Sequence, residues 1–171
     1  MMMQMNQQFD LAFNFLQNTG THLFLTGKAG TGKTTFLKKL KEVSPKRMIV
    51  VAPTGVAAIN AGGVTIHSFF QLPFGPYLPS ASREADQAKN FTNKFSRDKI
   101  NIIRSMDLLV IDEVSMVRAD LLDAISDVLC RYKDRTKPFG GVQLLLIGDL
   151  QQLAPVAKDD EWNLLKEHYP S

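Results

Sequence analysis

The stretch Leu25-Thr-Gly-Lys-Ala-Gly-Thr-Gly-Lys-Thr34 decides the fold of this chain. It follows a short apolar run, His22-Leu-Phe-Leu-Thr26, and it opens a segment from Lys33 to Val43 that has the pattern of a helix. A glycine-rich turn between a buried strand and a helix points successive backbone N–H groups, and the positive end of the helix, toward an anion. The spacing G-x4-G-K-[ST] in this setting therefore predicts a loop that binds the phosphates of a nucleoside triphosphate.

The residue types of this loop suit a polyphosphate and its metal ion. Gly27, Gly30 and Gly32 let the backbone turn tightly and come close to the phosphates, because no Cβ stands in the way. Lys33 offers a point charge to the β- and γ-phosphates, and the Thr34 hydroxyl is a ligand for Mg²⁺. A glycine-rich turn without a ligand is the alternative. We expect the nucleotide to be surrounded by Gly27, Lys28, Ala29, Gly30, Thr31, Gly32, Lys33, Thr34 and Thr35.

Three further apolar runs have the length of buried strands: Met48–Ala52, Leu108–Asp112 and Gln143–Gly148. Segments with helical patterns separate them, and the one from Asp120 to Tyr132 is amphipathic. Strands that are apolar on both faces and alternate with helices predict an α/β fold, in which helices cover both faces of a parallel sheet. Ligands of such sheets bind at the carboxyl ends of the strands. Residues 71–82, which are rich in proline, are predicted to form an irregular loop.

The composition is that of one globular domain within a reducing compartment. The chain has 171 residues, of which 44% are hydrophobic and 22% charged. No apolar run reaches the roughly 18 residues of a membrane span, and the Met-rich start has no basic flank or apolar region typical of a secretory signal. Cys130 is the only cysteine, which excludes an internal disulfide and a cysteine zinc site and fits the cytoplasm. The net charge of +3 is too small to argue for nucleic-acid binding by itself.

An acidic pair, Asp112-Glu113, ends the third apolar run. Behind a strand in a fold of this kind, Asp112 can hold the Mg²⁺ shell and Glu113 can act as the general base that polarises the attacking water. A pair of ordinary surface acids is the alternative. We interpret Glu113 as favouring ATP hydrolysis over phosphoryl transfer to a small molecule, because a kinase does not need to activate water.

Polar side chains also follow the second and fourth runs. Gln152, after the strand that ends at Gly148, is placed to sense the γ-phosphate; a simple capped loop is the alternative. Thr54, with the first N–H groups of the next helix, can hold a backbone phosphate. Downstream, His67 and Ser68 can contact phosphate or sugar, and Phe69 or its neighbour Phe70 can stack on a base; local packing of these four side chains is the alternative.

Taken together, these segments resemble the first motor domain of the petite-integration-frequency family of superfamily-one DNA helicases, which are related to the RecD-like enzymes. The likeness covers nearly the whole chain, and its most distinctive parts are Pro-Thr-Gly-Val-Ala-Ala and Asp-Glu-Val-Ser-Met. The third motif differs, because Ala154-Pro155 stands where the family usually has two prolines, but Gln152 still matches. The matching stretches are Gly27–Thr34, Ala52–Ala58, Thr65–Ser68, Val110–Met116 and Gly148–Val156.

The resemblance implies a RecA-like domain over 1–171, with an upstream glutamine-motif helix at about residues 5–20. Within that helix Gln8 resembles the glutamine that reads the adenine edge, and Gln7 is a possible alternative. The resemblance also implies that ATP and Mg²⁺ are the cofactors and that single-stranded DNA and duplex junctions are the partners. The implied DNA contacts are Pro53, Thr54, Gly55, Val56, His67, Ser68 and Phe69.

For the intact enzyme the resemblance implies monomeric, ATP-driven movement along single-stranded DNA in the 5′ to 3′ direction, with unwinding of duplex and no membrane partner. The family also has a second RecA-like domain, which supplies the arginine finger and the other wall of the ATP cleft. Only about 15 residues follow Val156, so we expect that domain to be absent from this chain. We therefore expect the isolated chain to bind nucleotide but to turn it over poorly.

Three other functions remain as alternatives. A ring-forming, clamp-loader-like ATPase places Asn, Ser or Thr as the sensor after the fourth strand, where this chain has Gly148-Asp149 and then Gln152. A nucleotide kinase would need a lid with arginines, and Glu113 disfavours it. A nucleotide-dependent binding module without catalysis is the third. The Pro73–Pro76 loop has its own open interpretations, since it can wedge into a duplex, stack on DNA or cap the core.

Overall fold

Five parallel strands form the sheet at the centre of the computed structural model, which describes residues 7–28, 30–78 and 95–169. The spatial order of the strands is β1-β5-β4-β2-β3. Thr26 pairs with Gly148 between β1 and β5, and Ile111 pairs with Leu146 between β4 and β5. The predicted parallel α/β fold is confirmed. The strands are β1 Leu23–Thr26, β2 Met48–Ala52, β3 Val64–Thr65, β4 Leu108–Ile111 and β5 Gln143–Gly148.

Seven α-helices are found among the described residues. They are α1 Gln7–Asn18, α2 Lys33–Val43, α3 Gly55–Ala61, α4 Ile66–Phe70, α5 Arg97–Ser105, α6 Ala119–Tyr132 and α7 Asp159–Leu165. Short 3₁₀ turns occupy Val114–Met116 and Pro138–Gly141. In this part of the chain no helix combines the length and the apolar character that a membrane crossing requires.

The central strand β4 shows why helices cover both faces of the sheet. Its four residues are all fully buried, and successive side chains of a strand point to opposite faces. Leu108 and Val110 pack with the buried side chains of α1 and α2, whereas Leu109 and Ile111 pack with those of α4, α5 and α6. The two apolar clusters therefore lie on opposite sides of one sheet and fix the strand ends in place.

Three elements were not predicted from the sequence, namely β3, α4 and α5. The first two are short, with two and five residues, so a hydrophobic pattern cannot repeat within either of them. In α5 most residues are polar, and Ile103 is its one fully buried side chain. The predicted irregular loop is observed over residues 71–78, and its remaining residues 79–82 lie outside the described part.

Candidate functional site

The strand order brings three of the predicted segments together at the carboxyl edge of the sheet. Because β5 lies between β1 and β4, the glycine-rich loop after β1 and the acidic pair after β4 flank the segment that begins at Gly148. A Cβ on Gly148 would come 3.0 Å from Val114 Cγ1 and 3.2 Å from the Ser115 nitrogen. A side chain here would be tight, because the turn after β5 packs directly against the turn that carries the acids.

The glycine-rich loop has a backbone that side chains would prevent. Gly30 and Gly32 have φ values of 79° and 92°, in the left-handed region that favours glycine. A Cβ on Gly27 would lie 2.7 Å from Thr31 Oγ1, and that hydroxyl donates to the Lys28 carbonyl at 2.9 Å. The loop thus bends back on itself and leads directly into α2. The predicted contact Ala29 lies outside the described residues.

Lys33 is the first residue of α2, and its ammonium group lies over the loop. Its Nζ donates to the Gly27 carbonyl and, at 3.0 Å, to the Lys28 carbonyl. Thr34 and Thr35 follow on the first turn of the same helix, and both are exposed. The Lys33 ammonium group is therefore held at the backbone of the loop, and both threonines at the start of α2 are accessible to a ligand.

The acidic pair has an unusual local geometry. Asp112 is partly buried, and its Oδ1 accepts the Glu113 backbone N–H at 3.0 Å. Burial raises the pKa of Asp112 above its ordinary value, while that hydrogen bond and the charge of Lys33 act in the opposite direction. Glu113 itself has φ 53° and ψ 44°, a left-handed conformation that costs energy for a residue with a Cβ. The strain turns the chain sharply immediately after the strand.

The segment after β5 is shaped by Asp149, a buried acid that was not among the predicted site residues. Its Oδ1 accepts the Gln151 N–H at 3.0 Å, and its carbonyl accepts the Gln152 N–H at 3.0 Å. These two bonds close a turn in which Gln152 is exposed. The turn that carries the predicted sensor thus follows β5 directly, and the role of Gln152 stays a prediction.

Helix α1 packs against the phosphate loop. The Phe9 ring lies 5.1 Å from the Phe36 ring, and a Cβ on Gly32 would approach Phe9 to 3.3 Å. Gln8 precedes this contact and is exposed. Packing of Phe9 thus places the first turn of α1, which includes Gln8, beside the phosphate loop, and the adenine contact of Gln8 stays a prediction.

The segments implied in DNA binding follow the two strands at the other end of the sheet. β2 and β3 pair through Ala52 and Thr65, so Pro53-Thr54 and Ile66-His67 begin at neighbouring strand ends. The Thr54 hydroxyl caps α3 by accepting the Ala57 N–H at 3.2 Å, and its own proton is still available to a phosphate. Beyond it Gly55 is exposed and Val56 is 72% exposed.

The residues predicted to contact DNA around His67 differ in their exposure to solvent. His67 is partly buried and Ser68 is exposed. The prediction that Phe69 stacks on a base is wrong, because its side chain is only 6% exposed. The Phe70 ring packs edge-on against the Phe69 ring, with centroids 4.9 Å apart, and Lys99 Nζ lies 4.0 Å from the centroid of the Phe69 ring. Phe69 faces the core because α4, which the sequence did not reveal, turns it inward.

A charged cluster beside this region was also missed. The Arg118 guanidinium binds both oxygens of Asp120 at 2.9 Å, and Asp120 is 2% exposed. Arg118 also donates to Glu161 at 3.0 Å and to the Gly75 carbonyl at 3.1 Å. In the sequence these are three of many charged residues, and no motif or periodicity singles them out.

The residues at the nucleotide edge fit a magnesium ion. Magnesium prefers oxygen ligands and is usually held by one or two protein groups together with substrate phosphates and waters. Thr34 supplies a hydroxyl and Asp112 a carboxylate. Among the described residues no cluster of three or more acidic, His or Cys side chains could hold a metal ion.

The fold and this edge define a P-loop nucleotide-binding domain in which an additional strand lies between the phosphate loop and the acidic pair. Comparison with known proteins identifies the family within this class of nucleotide-binding domains. The chain belongs to the PIF1-like helicase family, whose family model matches residues 4–164. The resemblance inferred from the motifs is therefore confirmed.

Individual relatives and solved structures support this family assignment. A crystal structure of Bacteroides Pif1 in complex with ADP-AlF4 has a TM-score of 0.90 and 48% identity, covering 99% of this chain and 38% of that one. Bacteroides Pif1 bound to single-stranded DNA has a TM-score of 0.88 at the same identity and coverage. The ATP-dependent DNA helicase PIF1 of Candida albicans is 38% identical over 82% of this chain. The chain spans only 15% to 21% of the length of the curated relatives that it matches first.

Proposed function

We propose that this chain is the RecA-like motor domain, over 1–171, of an ATP-dependent DNA helicase that acts in the cytoplasm. The single observation that supports the proposal is the strand order, in which β5 lies between β1 and β4, so that the segment carrying Gln152 begins between the phosphate loop and Asp112-Glu113. A γ-phosphate bound at that edge would contact a cation, a base and a sensor at once. This arrangement suits hydrolysis and the detection of its product better than simple nucleotide storage.

In the proposed mechanism each residue has one task. The loop amides and Lys33 bind the β- and γ-phosphates, and Gln8 contacts the adenine edge. Thr34 and Asp112 would hold Mg²⁺, which when bound neutralises charge on the phosphates. Glu113 orients the attacking water and accepts its proton, because a carboxylate at this position can act as a general base. Gln152 contacts the γ-phosphate and changes partner when that phosphate leaves.

The DNA half of the proposal rests on Thr54, Gly55, Val56, His67 and Ser68, at the carboxyl ends of β2 and β3. Hydrogen bonds from hydroxyl and backbone groups suit phosphates, which explains binding without sequence preference. The Asp112 N–H donates to the Val51 carbonyl at 2.9 Å, so the last bond of β4 joins the nucleotide half to the DNA half. ATP hydrolysis would in this way alter the grip on DNA.

In the intact enzyme we propose 5′ to 3′ translocation on single-stranded DNA and unwinding at duplex junctions by a monomer. A second RecA-like domain would close the ATP cleft and provide the arginine finger. Such a finger contributes roughly 10³ to 10⁵ in rate. The isolated chain should therefore bind Mg-ATP and DNA and hydrolyse ATP slowly.

Steady-state phosphate release by the isolated chain, measured with and without a single-stranded oligonucleotide, tests this proposal alongside fluorescence anisotropy of the labelled oligonucleotide. We expect DNA binding together with slow hydrolysis. Failure to bind the oligonucleotide would contradict the DNA function. Robust DNA-stimulated turnover would instead contradict the need for a second domain.

A further inference from the structure

One buried hydroxyl beside the acidic pair has no partner for a hydrogen bond. Ser115 lies in the 3₁₀ turn Val114–Met116, directly after Asp112-Glu113, and is 7% exposed. Within the described part of the chain, its Oγ is the only buried side-chain nitrogen or oxygen that forms no hydrogen bond. Such a group destabilises a fold, because it has lost its bonds to water and gained none in return. An unpartnered buried group therefore calls for a functional explanation.

The turn that carries Ser115 is fixed by its own backbone and by the core. The Met116 N–H donates to the Glu113 carbonyl at 3.1 Å, and the Val117 N–H donates to the Val114 carbonyl at 2.9 Å. Val114 and Val117 also pack against the apolar cluster that contains Ile111. These apolar side chains have no group that can accept a hydrogen bond, so the hydroxyl needs a partner from another segment.

The neighbouring segment that can supply this partner is the turn after β5. A Cβ on Gly148 would come 3.2 Å from the Ser115 nitrogen, so the two turns are in direct contact. Residues 150–156 are all exposed, and they can shift without loss of core packing. A shift of this turn would bring one of its carbonyl or carboxylate oxygens to the Ser115 hydroxyl.

We infer that Ser115 is a positioning residue whose hydroxyl donates a hydrogen bond to the turn after β5 when Gln152 contacts a γ-phosphate. The role assigned to Ser115 rests on the proposed function and deepens it, because it names the group that holds the sensor turn against the acid turn. The hydroxyl gains its partner only in the ATP-bound form. The new hydrogen bond should therefore add to the affinity for ATP and leave the affinity for ADP unchanged.

Titrations with Mg²⁺ and either fluorescent ADP or a fluorescent, non-hydrolysable ATP analogue measure this difference. The variants are Ser115→Ala and Ser115→Cys, of which the second keeps a side chain of similar shape but has only a weak S–H donor. We expect each to weaken binding of the ATP analogue about three- to tenfold, the effect of one neutral hydrogen bond, and to leave ADP binding unchanged.

The matched control is Ser105→Ala, in which the lost hydroxyl has a partner. Ser105 ends α5, ahead of β4 and thus toward the opposite edge of the sheet, and its Oγ donates to the Ile102 carbonyl at 3.0 Å. This variant should bind both nucleotides like the unchanged chain.

Urea unfolding without nucleotide tests whether the Ser115 hydroxyl lacks a partner before ATP binds. Ser115→Ala should raise the midpoint of unfolding, because it removes a buried hydroxyl that forms no hydrogen bond. Ser105→Ala should lower the midpoint, since it removes a hydroxyl that does form one. A lower midpoint for Ser115→Ala would overturn the inference, because the hydroxyl would then already be bonded.

The titrations also distinguish failure of the proposed function from failure of the role of Ser115. If the unchanged chain binds neither nucleotide, or binds both equally, the proposed γ-phosphate sensing fails and the role of Ser115 fails with it. If the unchanged chain prefers the ATP analogue and Ser115→Ala keeps the same preference, only the role of Ser115 is overturned. An equal loss of affinity for both nucleotides would also overturn it, since that loss would show a purely structural role.

Discussion

Glu113 is under strain at the position where the chemistry is proposed to occur. Its left-handed backbone, with φ 53° and ψ 44°, costs a residue with a Cβ about 1–2 kcal/mol. The Glu113 N–H bond to Asp112 Oδ1 and the packing of Val114 against Gly148 keep the turn in this form. The turn therefore ends β4 sharply at the edge of the sheet that the phosphate loop borders.

Replacing Glu113 should therefore separate stability from activity. Glycine adopts this conformation without penalty, so Glu113→Gly should be about 1 kcal/mol more stable than Glu113→Ala, which keeps the Cβ. Both variants should lose hydrolysis by at least about 10²-fold, because neither has a general base. Urea unfolding and single-turnover hydrolysis measure the two effects. Equal stability of the two variants would show that the turn is not strained.

At this scale the sequence predicted the residues whose spacing is itself a signal. The phosphate loop, Asp112-Glu113 and Gln152 follow strands at fixed distances, so their places at the sheet edge could be anticipated. Phe69 was predicted wrongly, because a Phe-Phe pair does not show that both rings face the core, where they are 6% and 1% exposed.

At the scale of elements, one buried ion pair joins three parts of the chain. Arg118 and Asp120 stand at the start of α6 and bind the loop before residue 78 through Gly75 and Tyr77. They also bind α7 through Glu161. The segment that carries Gln152 lies between α6 and α7 in sequence, so this ion pair fixes the end of that segment relative to the DNA-side loop.

Replacing Arg118 should show how much its ion pair with Asp120 contributes to the free energy of unfolding. Arg118→Met leaves the Asp120 carboxylate buried without its cation and should cost about 3–5 kcal/mol of unfolding free energy. The matched control is Arg47→Met, since Arg47 pairs with Asp107 at 3.1 Å with side chains 67% and 38% exposed. An exposed pair should contribute less than about 1 kcal/mol. Similar losses in urea unfolding of the two variants would contradict this account of Arg118.

The elements themselves were predicted unevenly, for physical reasons. Continuous apolar runs predicted four of the five strands found among the described residues, because a buried parallel strand requires hydrophobic residues on both faces. The pairs that assemble β3 and α4 are long-range, such as Val51 with Val64, and cannot be read from local pattern. In α5 the start is set by Ser96, whose hydroxyl accepts the Lys99 N–H at 3.2 Å, rather than by periodicity.

At the scale of the whole molecule, the carboxyl edge of the sheet is divided between two ligands. The nucleotide residues follow β1, β5 and β4, and the proposed DNA residues follow β2 and β3. The sequence could predict that both groups lie at this edge, but the order of strands, which places them side by side, follows only from the paired backbone. This strand order favours a motor, in which the nucleotide site and the DNA site are coupled, over two unrelated binding sites.

The central claim is that Gly27 to Thr34 binds the phosphates of ATP through Lys33, and titration of the chain with a fluorescent ATP analogue and Mg²⁺ tests it most directly. Removing a charge-assisted contact should weaken binding about 10- to 100-fold in Lys33→Ala. Lys38→Ala, which changes an exposed lysine on the next turn of α2, should bind like the unchanged chain. Equal affinity of Lys33→Ala and the unchanged chain would contradict the assignment of this loop.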